Sequence, residues 1–372
     1  MRNIRLTKRQ FLCGTAATGA GIFMPAIVRG QSATVLRWGD VQAPNHPSAQ
    51  SAEMVAKEVK EKTGGRIEIQ SFPSGQLGGS RDMVEAVGSG ALTMVTEGGA
   101  LIGQFLPQIS IIEAPYIWTD AAHMSRALSS PLMDELNKSL VEKRGIRIIA
   151  TNYYGKRHVT SGTREIRTVA DMQGFKLRVP EVDTFKAMAE AWGAKPTPLN
   201  FGELYLALSQ GAVDGQENPL PTIQSGKLFE VQKYLVLTGH IITPRLVIIN
   251  DGVWQKIPDG DRAVAQAAIR RAAAWNDREI LSQEAGLADT FKKGGMIVIE
   301  PDVESFRKPV LAKVPALFEA KWGKGLWERL SALGSAPAAG STARCDSPPR
   351  RRWRCSCSAS CSAWRRGRSA IR

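Results

Sequence analysis

Polar and charged side chains stand where several apolar segments of the sequence end. Glu97 ends "LTMVTE", Tyr154 ends "IRIIATNYY", and Arg157 follows three residues later. Arg178 lies one residue before the end of "FKLRV", and Asn218 is the last polar residue of "AVDGQENP". Two guanidinium groups and an amide can bind one carboxylate through parallel, charge-assisted hydrogen bonds. This set therefore predicts a binding site for a small organic anion.

The same residues also allow purely structural interpretations, which the sequence leaves open. Arg157 taken alone is more often a solvated loop residue. Arg178 has apolar neighbours, and a buried arginine needs a partner, which is either a ligand or a protein acid such as Glu217. Glu97 equally suits the cap of a helix in "GGALIGQF", and His46 in "QAPNHP" is explained as well by a turn.

Strands and helices alternate along residues 34–332, which predicts an α/β fold with mostly parallel sheets. Ligands of such folds bind beyond the carboxyl ends of the strands, so the strand ends are where function is expected. Strands are predicted from apolar or alternating runs at 35–41, 66–72, 92–97, 146–154, 175–179, 244–250 and 295–301.

Helix signals lie between these strands. Ser80 is predicted to cap one helix, and Asn200 with Glu203 is predicted to form a capping box before another. That second helix opens on Phe201, which could stack on an apolar face of a ligand. Its apolar stripe is predicted to comprise Phe201, Leu204, Tyr205 and Leu208. Long helices are predicted at about 260–293 and at 303–322.

The net charge of +14 belongs to the two ends of the 372-residue chain. Residues 1–32 carry a charge of +5 and the segment from 333 onwards carries +8, which leaves +1 for the body. A nucleic-acid-binding function is therefore not indicated, because the basic residues are not on the part that folds.

The first 32 residues predict a secretory signal peptide. A basic start is followed by a weakly apolar, small-residue stretch that ends near "GQS". The segment "TKRQFL" resembles the twin-arginine export motif with Lys8 in the place of the first arginine, so twin-arginine and general secretory export both stay open. The predicted location is the periplasm. Residues 333–372 are rich in Arg, Ser and Cys and are predicted to be unstructured. Their composition favours the interpretation that the end of the gene is read out of frame.

An enzymatic function is not indicated by the body. A hydrolase needs a nucleophile with a base within reach. Residues 14–344 contain no cysteine and no G-x-S-x-G, and the four histidines, at 46, 123, 158 and 240, are scattered. No set of metal ligands and no cofactor motif is evident either.

Several long motifs resemble the solute-binding proteins of tripartite ATP-independent periplasmic (TRAP) transporters, of the dicarboxylate-binding type. They occur in the family's order over about residues 34–332. The motifs are "HPSAQSAEMVAKEVKEKTGGRIEIQSFPSGQLGGSRDMVEAV", "FKLRVPE", "AWGAKPTPLNFGELYLALSQGAVDGQENP" and "EVQKYLVLTGH". The resemblance implies two discontinuous α/β lobes, joined by hinge strands and braced by a long helix. Lobe I is expected at 34–154 plus 244–283, and lobe II at 155–243 plus 284–332.

The resemblance also implies roles for individual residues. Arg178, in the "LRVP" motif, is expected to make the main bidentate contact to a ligand carboxylate. The resemblance implies further ligand contacts by Arg157, Asn218, Phe201, Glu97, Asn45 and His46. Tyr154, which ends a predicted strand, is expected to contact the ligand beside them.

The implied partners are a small carboxylate and the small and large membrane subunits of a TRAP transporter, with no cofactor. Glu97 would repel a second carboxylate and accept hydrogen bonds from hydroxyls. A hydroxylated monocarboxylate, such as a uronic or other sugar acid, is therefore preferred over a C4-dicarboxylate and then a 2-oxo acid. A sensor that signals to a membrane receptor is the alternative function.

Overall fold

The computed structural model describes residues 33–333. The predicted signal peptide, the tail beyond residue 333 and all five cysteines lie outside these residues, so the predictions about them stay predictions. The strands are β1 (Thr34–Gly39), β2 (Ile67–Phe72), β3 (Met94–Gly98), β4 (Ile146–Ser161), β5 (Lys176–Val179), β6 (Lys195–Pro198), β7 (Gly215–Pro219), β8 (Tyr234–Asn250) and β9 (Ile297–Ile299).

The α-helices are α1 (Pro47–Lys62), α2 (Ser80–Ser89), α3 (Gly99–Ile102), α4 (Ala121–Leu128), α5 (Pro131–Arg144), α6 (Asp183–Ala191), α7 (Phe201–Ser209), α8 (Leu220–Ser225), α9 (Asp251–Lys256), α10 (Asp259–Lys293), α11 (Val303–Trp322) and α12 (Leu326–Leu333). Short 3₁₀ helices cover Pro107–Glu113, Val169–Met172 and Leu228–Glu230. The predicted α/β class is therefore confirmed. None of the helices in residues 33–333 combines the length and the apolar character that a membrane crossing requires.

The strands form one mixed sheet in the order β2-β1-β3-β8-β4-β7-β5-β6, with β9 paired to β8. The outer pairs, such as β1 with β2 and β5 with β6, are parallel, as predicted. The centre is antiparallel, since β8 pairs in this way with both β3 and β4, and β4 pairs in this way with β7. Five of the eight strand pairings in residues 33–333 are parallel, as predicted, and the three antiparallel pairings lie at the centre, where two long strands join the halves.

Those two central strands are longer than predicted. β4 continues to Ser161 instead of ending at 154, and β8 begins at Tyr234 instead of at 244. They pair over almost their whole length, with register shifts at three points. Their two ends carry different strands, because β3 pairs with the end of β8 at 245–249 and β9 pairs with 234–236. This arrangement produces the two-lobed shape, with β4 and β8 running through both halves.

Local signals explain why the extensions were missed. Gly155 and Gly239 adopt positive φ angles of 130° and 56°, and Pro244 interrupts the second run. Glycine and proline usually mark turns, so the sequence predicts the end of the first strand at 154 and the start of the second at 244. Here they mark irregularities inside continuing strands, where register shifts are accommodated by bulges.

Two predicted helix caps differ in the structure. Gly79, not Ser80, is the N-cap of α2, and Ser80 is the first helical residue. Asn200 is the N-cap of α7 but makes no side-chain capping bond, so the capping box with Glu203 is wrong. Both polar residues belong to the cavity described below. On α7, Leu204 and Leu208 are buried as predicted, whereas Tyr205 is exposed and donates a hydrogen bond to Glu230.

Helix α10 has 35 residues and matches the predicted long helix at both ends within one residue. Acidic residues occupy its first turn and two lysines its last turn, which complements the helix dipole. It packs against α1 and β4 and, farther along, against α8 and β9. The amide of Asn276 donates to the carbonyl oxygen of Tyr153 at 2.8 Å, which ties the helix to β4 beside the cavity.

Candidate ligand-binding site

Residues of β3, β4, β5, β7 and β8 line a cavity of about 80 Å³. The fold thus brings together residues that are up to 204 positions apart, from Val41 to Arg245. The predicted ligand residues that line it are Glu97, Tyr154, Arg157, Arg178, Phe201 and Asn218. The structure therefore assembles most of the predicted set in one place, while their contact with a ligand stays a prediction.

Arg157 is held by a buried acid. Its Nε donates to Oε2 of Glu217 at 2.5 Å, and its Nη2 donates to Oε1 at 2.8 Å. Burial alone would lower the pKa of Arg157, but the Glu217 charge holds it above its usual value. Nε2 of His240 lies 3.1 Å from Glu217 as well. This guanidinium therefore has its counter-ion within the protein, and the interpretation of Arg157 as a solvated loop residue is wrong.

Arg178 has no such partner. It is 3% exposed, and its Nε and Nη2 donate to the carbonyl oxygen of Leu199 at 3.0 and 2.5 Å. Within residues 33–333 it takes part in no ion pair, so the sequence-based alternative of a bond to Glu217 is not realised. Burial lowers its pKa to about 10, and the Glu217 charge opposes this. The group is therefore a desolvated cation at neutral pH, which calls for an anion.

The amides of "GQENP" form a buried network on β7. Oδ1 of Asn218 accepts from Arg157 at 3.0 Å, and its Nδ2 donates to Oε1 of Gln216 at 2.6 Å. Gln216 in turn donates to Oγ1 of Thr160, which donates to Gln232. The polar residues therefore interrupt an apolar stretch because they fix Arg157 and Asn218 at the cavity wall.

Arg245 on β8 was missed by the sequence reasoning. Its Nη1 donates to both carboxylate oxygens of Asp40, at 2.9 and 3.1 Å, and its guanidinium carbon lies 5.2 Å from the centre of the Tyr154 ring. Burial would lower the pKa of Arg245, but the charges of Asp40 and Glu97 raise it. An arginine inside the apolar run "PRLVIIN" was the available signal, because a buried arginine needs a partner.

Two buried acids line the cavity on the β3 side. Glu97 accepts from the Ser80 hydroxyl at 2.5 Å and lies 3.5 Å from Arg245. Burial raises its pKa, and the Arg245 charge partly offsets this. Glu113, which the sequence reasoning missed, accepts from the backbone N–H of Ala100 at 2.9 Å. Burial raises the pKa of Glu113 to about 7, with the Arg157 charge acting in the opposite direction.

Asn45 and His46 are placed outside the cavity lining. Asn45 is exposed in the turn before α1, whereas His46 is fully buried. His46 is the N-cap of α1, because its Nδ1 accepts from the N–H of Ser48 at 3.1 Å. Its ring lies 5.4 Å from that of Tyr154, and burial lowers its pKa to about 3. His46 thus supports the cavity wall from behind.

Two further polar atoms have no partner. Oε1 of Gln42 and Oγ1 of Thr243 are buried and accept or donate no hydrogen bond within residues 33–333. Both residues line the cavity. A buried polar group without a partner is costly, so these atoms are suited to the hydroxyl groups of a ligand. In the same described range, no group of three or more His, Cys, Asp or Glu side chains is placed to hold a metal ion.

This geometry has the features of a solute-binding cleft, and sequence comparison decides the family. The family model described as bacterial extracellular solute-binding protein, family 7, matches residues 38–321. The chain belongs to this family. It is a periplasmic, TRAP-type solute-binding protein, as the sequence motifs implied.

Relatives of this TRAP-type protein match over nearly their full length. The sialic acid-binding periplasmic protein of Vibrio cholerae is 34% identical over 316 residues, which is 85% of this chain and 98% of the relative. A TRAP periplasmic solute-binding protein from Polaromonas, solved with D-erythronate, shares 34% identity with a TM-score of 0.77, over 82% of this chain and 100% of that one. Another from Roseobacter denitrificans, solved with 3-deoxy-D-manno-oct-2-ulosonic acid, shares 31% identity with a TM-score of 0.77, over 81% and 99%.

Proposed function

We propose that this TRAP-type solute-binding protein captures a hydroxylated monocarboxylate, such as a sugar acid, and that Arg178 binds its carboxylate. The observation that carries the proposal is that the three cavity-lining arginines differ in their counter-ions. Arg157 is neutralised by Glu217 and Arg245 by Asp40. Arg178 alone among them has only a carbonyl oxygen as a side-chain partner. A ligand carboxylate would therefore give Arg178 the counter-ion that the described residues do not supply.

The remaining cavity wall supports a ligand with several hydroxyl groups. Gln42 and Thr243 offer buried polar atoms without partners, and Glu97 can accept from a hydroxyl. Phe201, half-buried at the start of α7, can pack against carbon-bound hydrogens of the same ligand. Sialic acid, D-erythronate and 3-deoxy-D-manno-oct-2-ulosonic acid, which the relatives' names or structures specify, each combine one carboxylate with hydroxyls.

Movement of the cavity walls is part of the proposed binding mode. An engineered cavity of about 150 Å³ holds benzene. At about 80 Å³, this cavity is narrower than that, so we expect the ligand to enter a wider form of the cleft. Hinge movement at β4 and β8 is suited to opening the cleft, because these strands run through both halves.

Delivery of the ligand to the small and large membrane subunits of a TRAP transporter follows from the family and forms part of the proposal. Binding without chemical conversion is sufficient for this role. A sensor that presents the ligand to a membrane receptor would use the same cleft. A transporter requires genes for both membrane subunits, so the neighbouring genes distinguish the two roles.

A calorimetric titration of residues 33–333 with a panel of acids tests the proposed ligand class. The panel comprises D-galactonate, D-glucuronate, D-erythronate, succinate and pyruvate. We expect at least one sugar acid to bind near micromolar, or about −8 kcal/mol, and succinate and pyruvate to bind more weakly. Tightest binding of succinate or pyruvate would instead support the C4-dicarboxylate or 2-oxo acid alternatives.

A further inference from the structure

We infer that Glu113, together with Glu97, restricts this site to acids with a single carboxylate and rejects the dicarboxylate of the same carbon skeleton. This inference rests on the proposed function, since it assumes that one carboxylate binds at Arg178. It assigns to Glu113 a role in specificity.

The fold builds Glu113 into the cavity wall. The residue ends the 3₁₀ helix Pro107–Glu113 and is 5% exposed. Within residues 33–333 its carboxylate accepts one hydrogen bond, the 2.9 Å bond from the N–H of Ala100. Gly98 makes room for it, because a Cβ atom at position 98 would lie only 2.5 Å from its Oε2. A carboxylate this tightly enclosed cannot turn away into bulk solvent when a ligand arrives.

The cations near Glu113 and Glu97 are already engaged. Arg157 forms its bidentate ion pair with Glu217, and Arg245 binds both oxygens of Asp40 while lying 3.5 Å from Glu97. Each guanidinium thus faces at least one protein carboxylate. At pH 8, above the pKa of about 7 that burial gives Glu113, a second ligand carboxylate on this side would meet the charge of Glu113, and that of Glu97 once ionised, without an unengaged cation. Like charges in a desolvated site repel strongly.

The anchor for the first carboxylate lies on a different part of the sheet. Glu97 is on β3 and Arg178 is on β5, and β8, β4 and β7 lie between these strands. Glu97 and Arg178 nevertheless line the same cavity, from opposite halves of the sheet. A ligand held at Arg178 therefore presents its far end towards the acids.

The unpartnered polar atoms point to hydroxyl groups at that far end. The Oε1 atom of Gln42 can only accept a hydrogen bond, and it has no donor in the described part of the chain. Gln42 is 2% exposed and lines the same cavity as Glu97 and Glu113. A hydroxyl group can donate to Gln42 or to either carboxylate, whereas an ionised carboxylate can donate to none of them.

Matched pairs of acids test the inference on residues 33–333. D-erythronate is compared with meso-tartrate, and D-galactonate with galactarate, because each pair differs only in a terminal hydroxymethyl group or carboxylate. Dissociation constants are measured by calorimetry at pH 8 for the wild type, Glu113→Gln and Glu97→Gln. Glu135→Gln, which changes an exposed acid on α5, is the matched control.

We expect the wild type and Glu135→Gln to favour the monocarboxylate of the better-binding pair by at least about thirtyfold. Glu113→Gln should reduce that preference at least fivefold, mainly by tightening dicarboxylate binding, and Glu97→Gln should act in the same direction. Thermal melts verify that each variant is folded. If Glu113→Gln does not fold, the preference measured for Glu97→Gln decides the test. An unchanged preference in the folded variants, or a wild type that binds both members equally, overturns the inference and leaves the proposed function standing. A wild type that binds none of the four acids, nor the D-glucuronate of the first panel, overturns both.

Discussion

Arg157 and Glu217 form a two-point ion pair inside the sheet, with N–O distances of 2.5 and 2.8 Å and exposures of 4% and 0% for the two side chains. The pair joins β4 to β7 at the cavity wall, because these strands are antiparallel neighbours. Arg157 can therefore contact a ligand only while it also holds Glu217. Its first role is to fix the wall on which Asn218 stands.

The first prediction concerns the loss of folding stability when this pair is broken. Glu217→Gln leaves Arg157 buried without its counter-ion, and removal of one member of a buried pair costs about 3–5 kcal/mol. We expect a decrease of this size in the free energy of unfolding, measured by urea denaturation of residues 33–333. Glu203→Gln on the exposed face of α7 is the control and should change stability by less than about 0.5 kcal/mol. A change at Glu217 no larger than that of the control would refute the structural role.

Arg178 is predicted to behave in the opposite way. Arg178→Ala should weaken binding of the preferred acid at least tenfold, since loss of a buried charge partner costs about 2–5 kcal/mol. It should not lower the stability of the ligand-free protein by a comparable amount, because the desolvated cation has no acid partner in the described residues. Calorimetry and urea denaturation measure the two effects, with the exposed Arg270→Ala as the control. Unchanged affinity would refute the assignment of Arg178.

The expectation that functional residues lie at strand ends succeeded where a polar residue follows an apolar run. Glu97, Tyr154 and Arg178 were found in this way, and all three line the cavity. Arg245 escaped the rule because β8 is antiparallel to β3 and β4, so that this residue lies inside its apolar run instead of at the end. Its partner, Asp40, is 205 residues away, a distance at which no local pattern connects two residues.

Pairing between elements was the part that the sequence could not specify. Glu217 is one possible partner for Arg178 in the sequence, but the register of β4 with β7 pairs it with Val159, two residues from Arg157, and Arg157 binds it instead. Glu113 lies in "PQISIIE", a 3₁₀ segment with neither a helical nor a strand period, so nothing marked it as buried. In both cases the decisive information is the contact between segments distant in sequence, which composition and periodicity do not encode.

The raised pKa of Glu113 predicts a pH dependence of stability. Burial raises this pKa from its ordinary value of 4.5 to about 7, against Arg157 and with the help of the Glu97 and Glu217 charges. The folded protein therefore binds this proton more tightly than the unfolded chain. The stabilisation is complete below about pH 4.5 and is lost as the pH rises to about 7, a loss of about 3 kcal/mol.

Glu113→Gln should remove this contribution, because glutamine does not titrate. We expect the difference in unfolding free energy between the wild type and Glu113→Gln to change by about 3 kcal/mol between pH 5 and pH 8. The variant gains stability relative to the wild type at pH 8. Other buried groups that titrate, such as His158, are common to both proteins and cancel in the difference. Urea denaturation at five pH values provides the measurement. Parallel pH profiles would show that Glu113 is not protonated in this range.

His46 is predicted to support the site without contacting the ligand. It caps α1 through the N–H of Ser48, and loss of an N-cap costs about 0.5–2 kcal/mol. His46→Ala should therefore lower the midpoint of thermal unfolding while the dissociation constant of the preferred acid changes less than threefold. Asn45→Ala, one residue earlier and exposed, is the control and should change neither quantity. A tenfold or greater loss of affinity in a folded His46→Ala protein would instead return His46 to the ligand contacts that the family resemblance implied.

Gln104 is predicted to slow ligand release. Its Nε2 donates to the carbonyl oxygen of Glu181 at 2.6 Å, and the predicted boundaries place these two residues in different lobes. Because lobe opening must break this hydrogen bond, Gln104→Ala removes an interaction worth about 0.5–1.5 kcal/mol in the closed form. We expect the dissociation rate to rise roughly two- to tenfold with little change in the association rate, measured by stopped-flow tryptophan fluorescence. Gln50→Ala, an exposed change on α1, is the control. Equal dissociation rates for the two variants would show that this contact does not hold the lobes together. A change in the association rate alone would contradict the prediction as well, because it would mean that the contact acts before the ligand is bound.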